Sequence, residues 1–111
     1  MSQARSARIN ILRQYLEEDL HDHFSRYALG LELMESGDIT GAVAQFKILL
    51  NENSSFLAVY YQLGKALEKE SLPGDAAEIY RRGMAVAALQ KNTKTANELK
   101  TALENLTEDT E

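Results

Sequence analysis

Cysteine is absent from this 111-residue chain, which excludes disulfides, thiolate nucleophiles and Cys-ligated zinc or iron–sulfur centres. Proline occurs once, at Pro73, and glycine six times, too little turn chemistry for a domain built of many short strands. Runs of Val, Ile and Thr with a period of two are missing too. Positive charge is in deficit: twelve Lys and Arg against seventeen Asp and Glu leave −5. That is the wrong sign for a protein held on a phosphate backbone or an anionic membrane. No apolar run of signal-peptide length follows Arg5, Arg8 and Arg13. The longest apolar stretch near the end, Met84 to Leu89, falls far short of the roughly 20 residues a membrane helix needs. The expectation is a cytoplasmic protein that binds neither nucleic acid nor membrane.

What the chain does contain is helix-forming residues: Ala, Leu, Glu, Gln, Lys and Arg dominate. A hydrophobic fraction of 44% is high enough to argue against disorder. The predicted fold is all-α, with about six helices. Ile9, Leu12, Tyr15 and Leu16 share one face of the first, which ends in the polar run 17–22. A second begins near His23 and stops at Gly37, a residue suited to a left-handed cap. Asp38 or Thr40 caps a third, which runs to about Asn51. A fourth ends near Ser71, and Pro73 opens a fifth with Asp75 placed well against the helix dipole. After the break at 90–93, a sixth carries Ala96, Leu99, Leu103 and Leu106 on one stripe.

The chain also resembles itself. A shift of 34 residues lays Tyr27 on Tyr61, Leu29 on Leu63, Gly30 on Gly64, Leu33 on Leu67 and Ala42 on Ala76. Phe46 then meets Tyr80, and Leu50 meets Met84. The matches fall where two antiparallel helices touch, with Gly and Ala at the close crossings and Leu and aromatics around them.

This register resembles the tetratricopeptide repeat, a 34-residue helix–turn–helix unit. Residues 23–56 offer Arg26-x2-Leu29-Gly30-x2-Leu33 and then Ala42-x3-Phe46; residues 57–90 offer Tyr60-x2-Leu63-Gly64-x2-Leu67 and then Ala76-x3-Tyr80. Arg26 stands where a large aromatic is usual, Leu33 and Leu67 replace Tyr, and Ser54 and Ala88 replace Pro. The chain thus reads as one domain over 1–111. Its N-terminal half repeat is 3–22, its repeats are 23–56 and 57–90, its capping helix is 91–106, and a tail follows at 107–111. Shifted forward, Tyr60, Leu63, Gly64 and Leu67 land on the polar Lys94, Asn97, Glu98 and Thr101, so the last helix is read as a cap rather than a third repeat.

The resemblance implies an interaction scaffold that holds a peptide or a partner helix in a concave groove lined by the first helix of each repeat. The residues expected on that face are Phe24, Tyr27, Leu31 and Met34 in the first repeat, and Tyr61, Gln62, Lys65 and Lys69 in the second. The first helix is apolar nearly all round, which marks either a contact surface or a helix covered by the N-terminal one. Lys65 and Lys69 alternate with Glu68, the pattern of a solvated face. Some family members grip a C-terminal carboxylate with a Lys and an Asn one turn apart on the first groove helix. Here Tyr27 and Leu31 occupy those places, so an apolar or amphipathic segment is expected instead. A homodimer through the apolar helix is the competing use.

Catalytic constellations are lacking. The two histidines flank Asp22, and in a helix His21 and His23 would diverge by about 200°; only an extended turn would bring both to one ion. No phosphate loop or nucleophile elbow is present. No enzyme activity, metal or cofactor is expected.

Overall fold

In the computed structural model, residues 2–109 are described, 107–109 by their helical backbone alone. Six helices account for them: α1 (Gln3–Glu18), α2 (His23–Ser36), α3 (Ile39–Glu52), α4 (Ala58–Lys69), α5 (Pro73–Leu89) and α6 (Thr93–Asp109). No strand occurs among the described residues. Helix α6 therefore runs into the tail expected at 107–111, whose last two residues lie outside the described ones. The chain forms two compact units, Met1–Asn53 and Ser54–Glu111.

In the N-terminal unit, α2 packs against both α1 and α3. Each helix start is fixed by a side chain: Ser2 accepts from the Arg5 N–H, Asp22 from Ser25 and Asp38 from Gly41. These bonds satisfy amide donors that the helix cannot. Helix α2 ends as expected at Gly37, whose φ of 91° is left-handed. The Asp38 N–H then returns to the Leu33 carbonyl at 2.9 Å, closing a Schellman turn. The core is Leu29, Leu33, Ala42, Val43, Phe46, Leu49 and Leu50, with Ile9 and Leu16 from α1.

One expected core residue lies elsewhere. Tyr15 shares the apolar face of α1 with Ile9, Leu12 and Leu16 but is 49% exposed, beside an exposed Ile11. Within its unit α1 packs chiefly on α2, which buries Ile9 and Leu16 and half-buries Leu12. Polar contacts complete that seam: Glu32 of α2 accepts from Arg5 Nε at 3.2 Å and from Arg8 Nε at 2.7 Å.

In the C-terminal unit, α5 packs against both α4 and α6. Pro73 sits in the first turn of α5 with Asp75 behind it. The ends of α4 and α5 repeat the Schellman pattern, with Leu72 N–H to Leu67 O and Asn92 N–H to Ala87 O at 2.9 Å each. Here the left-handed residues are Ser71 (φ 61°) and Lys91 (φ 56°) rather than glycine. Val59, Tyr60, Leu63, Ala66, Leu67, Ala76, Tyr80, Ala87, Leu99, Ala102 and Leu106 form the core. Gly83 lets α5 pass close to Tyr60 and Leu99, where a Cβ would meet Tyr60 Cβ at 2.6 Å and Leu99 Cδ1 at 3.0 Å.

Candidate functional site

The expected binding faces lie on α2 and α4, and both are set by one device. Gly30 of α2 lies against the Phe46 ring and Gly64 of α4 against the Tyr80 ring, each so close that an added Cβ would overlap the aromatic carbons. A bare backbone lets a fully buried ring seat directly on the helix. The next aromatic outward, on the same helix, rests on that ring. Tyr27 sits 6.0 Å from Phe46 at a 43° tilt, and Tyr61 sits 6.4 Å from Tyr80 at 42°. Both separations lie within the roughly 4.5–7 Å range of interacting aromatic pairs. Both outer tyrosines are half-buried.

Around this shared frame the chemistry differs. On α2, Leu31 and Met34 are half-buried and Phe24 is 80% exposed, so the face is apolar. On α4 the corresponding places hold Lys65 and Glu68, and four side chains close a circuit. Tyr80 Oη donates to the Glu68 carboxylate, Lys65 Nζ stands 3.6 Å from the same oxygen, and it lies 5.4 Å from the Tyr61 ring centre. Burial first, then the hydrogen bond and charge of Glu68, push the Tyr80 hydroxyl far above the usual phenol value, so it stays a donor. Lys65 is a positioned cation rather than a freely solvated one. Gln62 is half-buried and Lys69 exposed.

Beside Tyr61 and Lys65 the C-terminal unit carries an open hollow of about 450 Å³. Its far wall is α6, which contributes Lys94, Asn97, Glu98, Thr101 and Asn105, with Ala102 beneath. Sequence reasoning assigned these polar residues to the outside of a cap. The signal that could have found them is the spacing of Asn97, Thr101 and Asn105 at i, i+4 and i+8, which puts an uncharged polar stripe on one face.

The two histidines do converge, through a turn. Residues 19–22 lie between helices, and the Glu52 carboxylate at the end of α3 stands 2.9 Å from His21 Nδ1 and 3.7 Å from His23 Nε2. No group of three or more His, Cys, Asp or Glu among the described residues is arranged to hold a metal ion. No helix among them is long and apolar enough to cross a membrane.

No protein-family model and no curated protein matches the sequence. Solved structures do. A tetratricopeptide repeat domain protein from Salinibacter ruber, in its solution structure, is 32% identical over 77% of this chain and 86% of its own, with a TM-score of 0.73; its crystal structure gives the same score and is covered to 94%. The type III secretion translocator chaperone SycD of Yersinia enterocolitica is 10% identical, over 96% of this chain and 74% of its own, with a TM-score of 0.89. The TPR2B domain of yeast Sti1, in a structure of its pHsp70 complex, is 13% identical over 91% of this chain and 81% of its own, with a TM-score of 0.85. These likenesses bear out the all-α class of paired helices expected from the sequence.

Proposed function

Because the chain belongs to the tetratricopeptide-repeat family, we propose that it is a protein-binding module, an adaptor rather than an enzyme, working in the cytoplasm. Its binding faces are those of α2 and α4. Residues 23–56 and 57–90 are read as the two repeats, 3–22 as a half repeat and 91–106 as the cap. The solved structure of the Sti1 domain with pHsp70 gives the fold a precedent for holding a protein partner.

The observation that carries this reading is the repeated aromatic step. Tyr27 and Tyr61 are each braced on a buried ring and left half-exposed. Tyrosine so held offers contact area with little conformational entropy left to lose. Phe24, Leu31 and Met34 give the α2 face apolar contacts, and Gln62, Lys65 and Lys69 give the α4 face polar ones; the partner proposed is an apolar or amphipathic segment.

Affinity capture from cells that express the protein tests this. The double variant Leu31→Asp, Tyr61→Ala is expected to lose partners that the wild type and the control Lys47→Ala both retain, with helicity by circular dichroism unchanged. Equal recovery by the double variant overturns the assignment. The exposed Phe24 side chain favours one second reading, a homodimer through α2. Light scattering at two protein concentrations separates it from peptide capture.

A further inference from the structure

We propose that the N-terminal unit holds a small organic acid, a monocarboxylate with a short aliphatic body, in the hollow that α1, α2 and α3 form around Arg26. This goes beyond the adaptor reading and uses none of its residues.

The site starts from a charge that the fold leaves uncompensated. Arg26 is only 8% exposed, and its hydrogen bonds run to Gln45 Oε1 and the Leu20 carbonyl, both neutral. A guanidinium carries five N–H donors; two are used and three are left, the buried Nε among them. Burying a cation without a counter-charge is costly. The chain has a less costly solution at the matching place, where Tyr60 reaches its turn carbonyl with a neutral hydroxyl. Departures from the local rules of folding concentrate where function requires them.

Beside the guanidinium lies an open hollow of about 270 Å³. That is a little under the range of about 300–1,000 Å³ usual for ligand pockets, so the occupant is small. Gln45 of α3 and Leu20 of the turn, the two residues that Arg26 bonds, also line it, which puts the guanidinium at its wall. Leu16 and Leu29, both buried, add apolar surface. Leu20 is 64% exposed and is the apolar surface an occupant covers. Arg13 and Glu17, one turn apart on α1, complete the lining, and neither forms an ion pair among the described residues. Two guanidinium groups against one carboxylate leave the lining with a single positive charge.

Charge and shape together select the ligand. One positive charge matches a monoanion, and a planar carboxylate fits the guanidinium fork with two parallel hydrogen bonds. Phosphate turns its further oxygens toward leucines and loses their hydration without replacement. An aliphatic body instead covers Leu20 and gains from the burial.

The test is titration of the full chain with sodium hexanoate at pH 7, followed by proton–nitrogen correlation spectra that include the arginine Nε–H groups. Hexanoate is expected to move the Arg26 Nε–H signal and the amides of Leu16, Leu20 and Leu29 along one saturable curve, with a Kd of about 1 mM or lower. Acetate lacks the aliphatic body and hexan-1-ol lacks the charge; each binds at least tenfold more weakly, as does inorganic phosphate. Arg26→Tyr, which copies the arrangement at Tyr60, weakens hexanoate at least tenfold. Leu20→Ser, at an exposed position, brings hexanoate down to the level of acetate, and the control Lys47→Ala leaves it unchanged. Circular dichroism checks that each variant folds, and Leu20→Ser decides the matter by itself if Arg26→Tyr does not. The proposal is overturned by the absence of saturable shifts up to about 10 mM, or by phosphate or hexan-1-ol binding as well as hexanoate. Hexanoate binding that either substitution leaves intact in a folded variant overturns it too.

Discussion

Arg26 and Tyr60 occupy matching places 34 residues apart and make the same contact with different chemistry. Arg26 Nη2 donates to the Leu20 carbonyl at 3.0 Å, and Tyr60 Oη donates to the Ser54 carbonyl at 2.5 Å, each six residues back along the chain. Both side chains are buried, and both satisfy a carbonyl in the turn that precedes their helix. The arginine adds a bond to Gln45 Oε1 at 2.7 Å, but its Nε is buried without a partner.

A swap between these two places follows from that. Arg26→Ala strips donors from Leu20 and Gln45 and opens a void, and is expected to cost about 2–4 kcal/mol. Arg26→Tyr copies the solution used at Tyr60 and removes a buried charge with an unpaired N–H. It is expected to equal the wild type or exceed it by up to about 2 kcal/mol. Urea unfolding followed by circular dichroism measures both. A tyrosine variant as weak as the alanine one would show that the two places are not equivalent.

The glycine crossings give the second prediction. Gly30→Ala and Gly64→Ala each drive a methyl into a buried ring, Phe46 or Tyr80. Overpacking of this kind costs about 1–3 kcal/mol. Gly64→Ala is expected at the upper end, because Tyr80 is also tied to Glu68 and cannot swing aside freely. Adding Phe46→Leu to Gly30→Ala makes room for the methyl, so the pair should cost less than the two single changes together. Strict additivity in the unfolding data would rule out the steric account.

Both devices bear on how far the fold could be read from the residues. Gly37, Asp38 and Pro73 punctuate the helices as their local chemistry requires, and Gly30 and Gly64 announced a close crossing because a shared period placed each one beside an aromatic. Tyr15 misled. Helical periodicity names an apolar face, but not how much of it a neighbour covers, and α1 packs chiefly on one helix within its unit. The convergence of His21 and His23 on Glu52 was out of reach as well. It joins a turn to a helix end about thirty residues away, and spacing within the turn carries no trace of it. Asn97, Thr101 and Asn105 were legible as polar, but a stripe read on one helix cannot reveal that an opposing helix leaves a hollow before it.

Ser71 holds the left-handed place at the end of α4 that glycine holds at the end of α2. An L-residue there carries a steric cost of about 1 kcal/mol that glycine avoids. Part of the gain is offset by the greater freedom of glycine in the unfolded chain. Ser71→Gly is expected to stabilise by about 0.5 kcal/mol, and to raise the melting temperature by roughly 2–4 °C. Gly37→Ala, the reverse experiment, should lower it. Calorimetry of both variants checks the pair, and a lower melting temperature for Ser71→Gly would remove the strain argument.

Acid stability supplies the last prediction. Glu32 is held below its ordinary value of 4.5 chiefly by the Arg8 hydrogen bond, opposed by slight burial and helped by the Arg8 charge and by Arg5. Asp22 is held low by the hydrogen bonds of Ser25, side chain and then backbone. A carboxylate depressed in the folded state contributes stability that is fully present above its unfolded value and is lost as pH falls through its folded one. Both contributions therefore stand at pH 6; that of Glu32 fades below its ordinary value of 4.5 and that of Asp22 below 3.8. Glu32→Gln should lower the melting temperature at pH 6 yet leave it nearly unchanged at pH 3, so the gap between the two pH values narrows relative to wild type. Because Arg8 and Glu32 are partly solvated, 1 M salt should shrink the same difference at pH 6 by screening. An equal loss at both pH values would mean that Glu32 acts through packing, and that the clasp between α1 and α2 is not electrostatic.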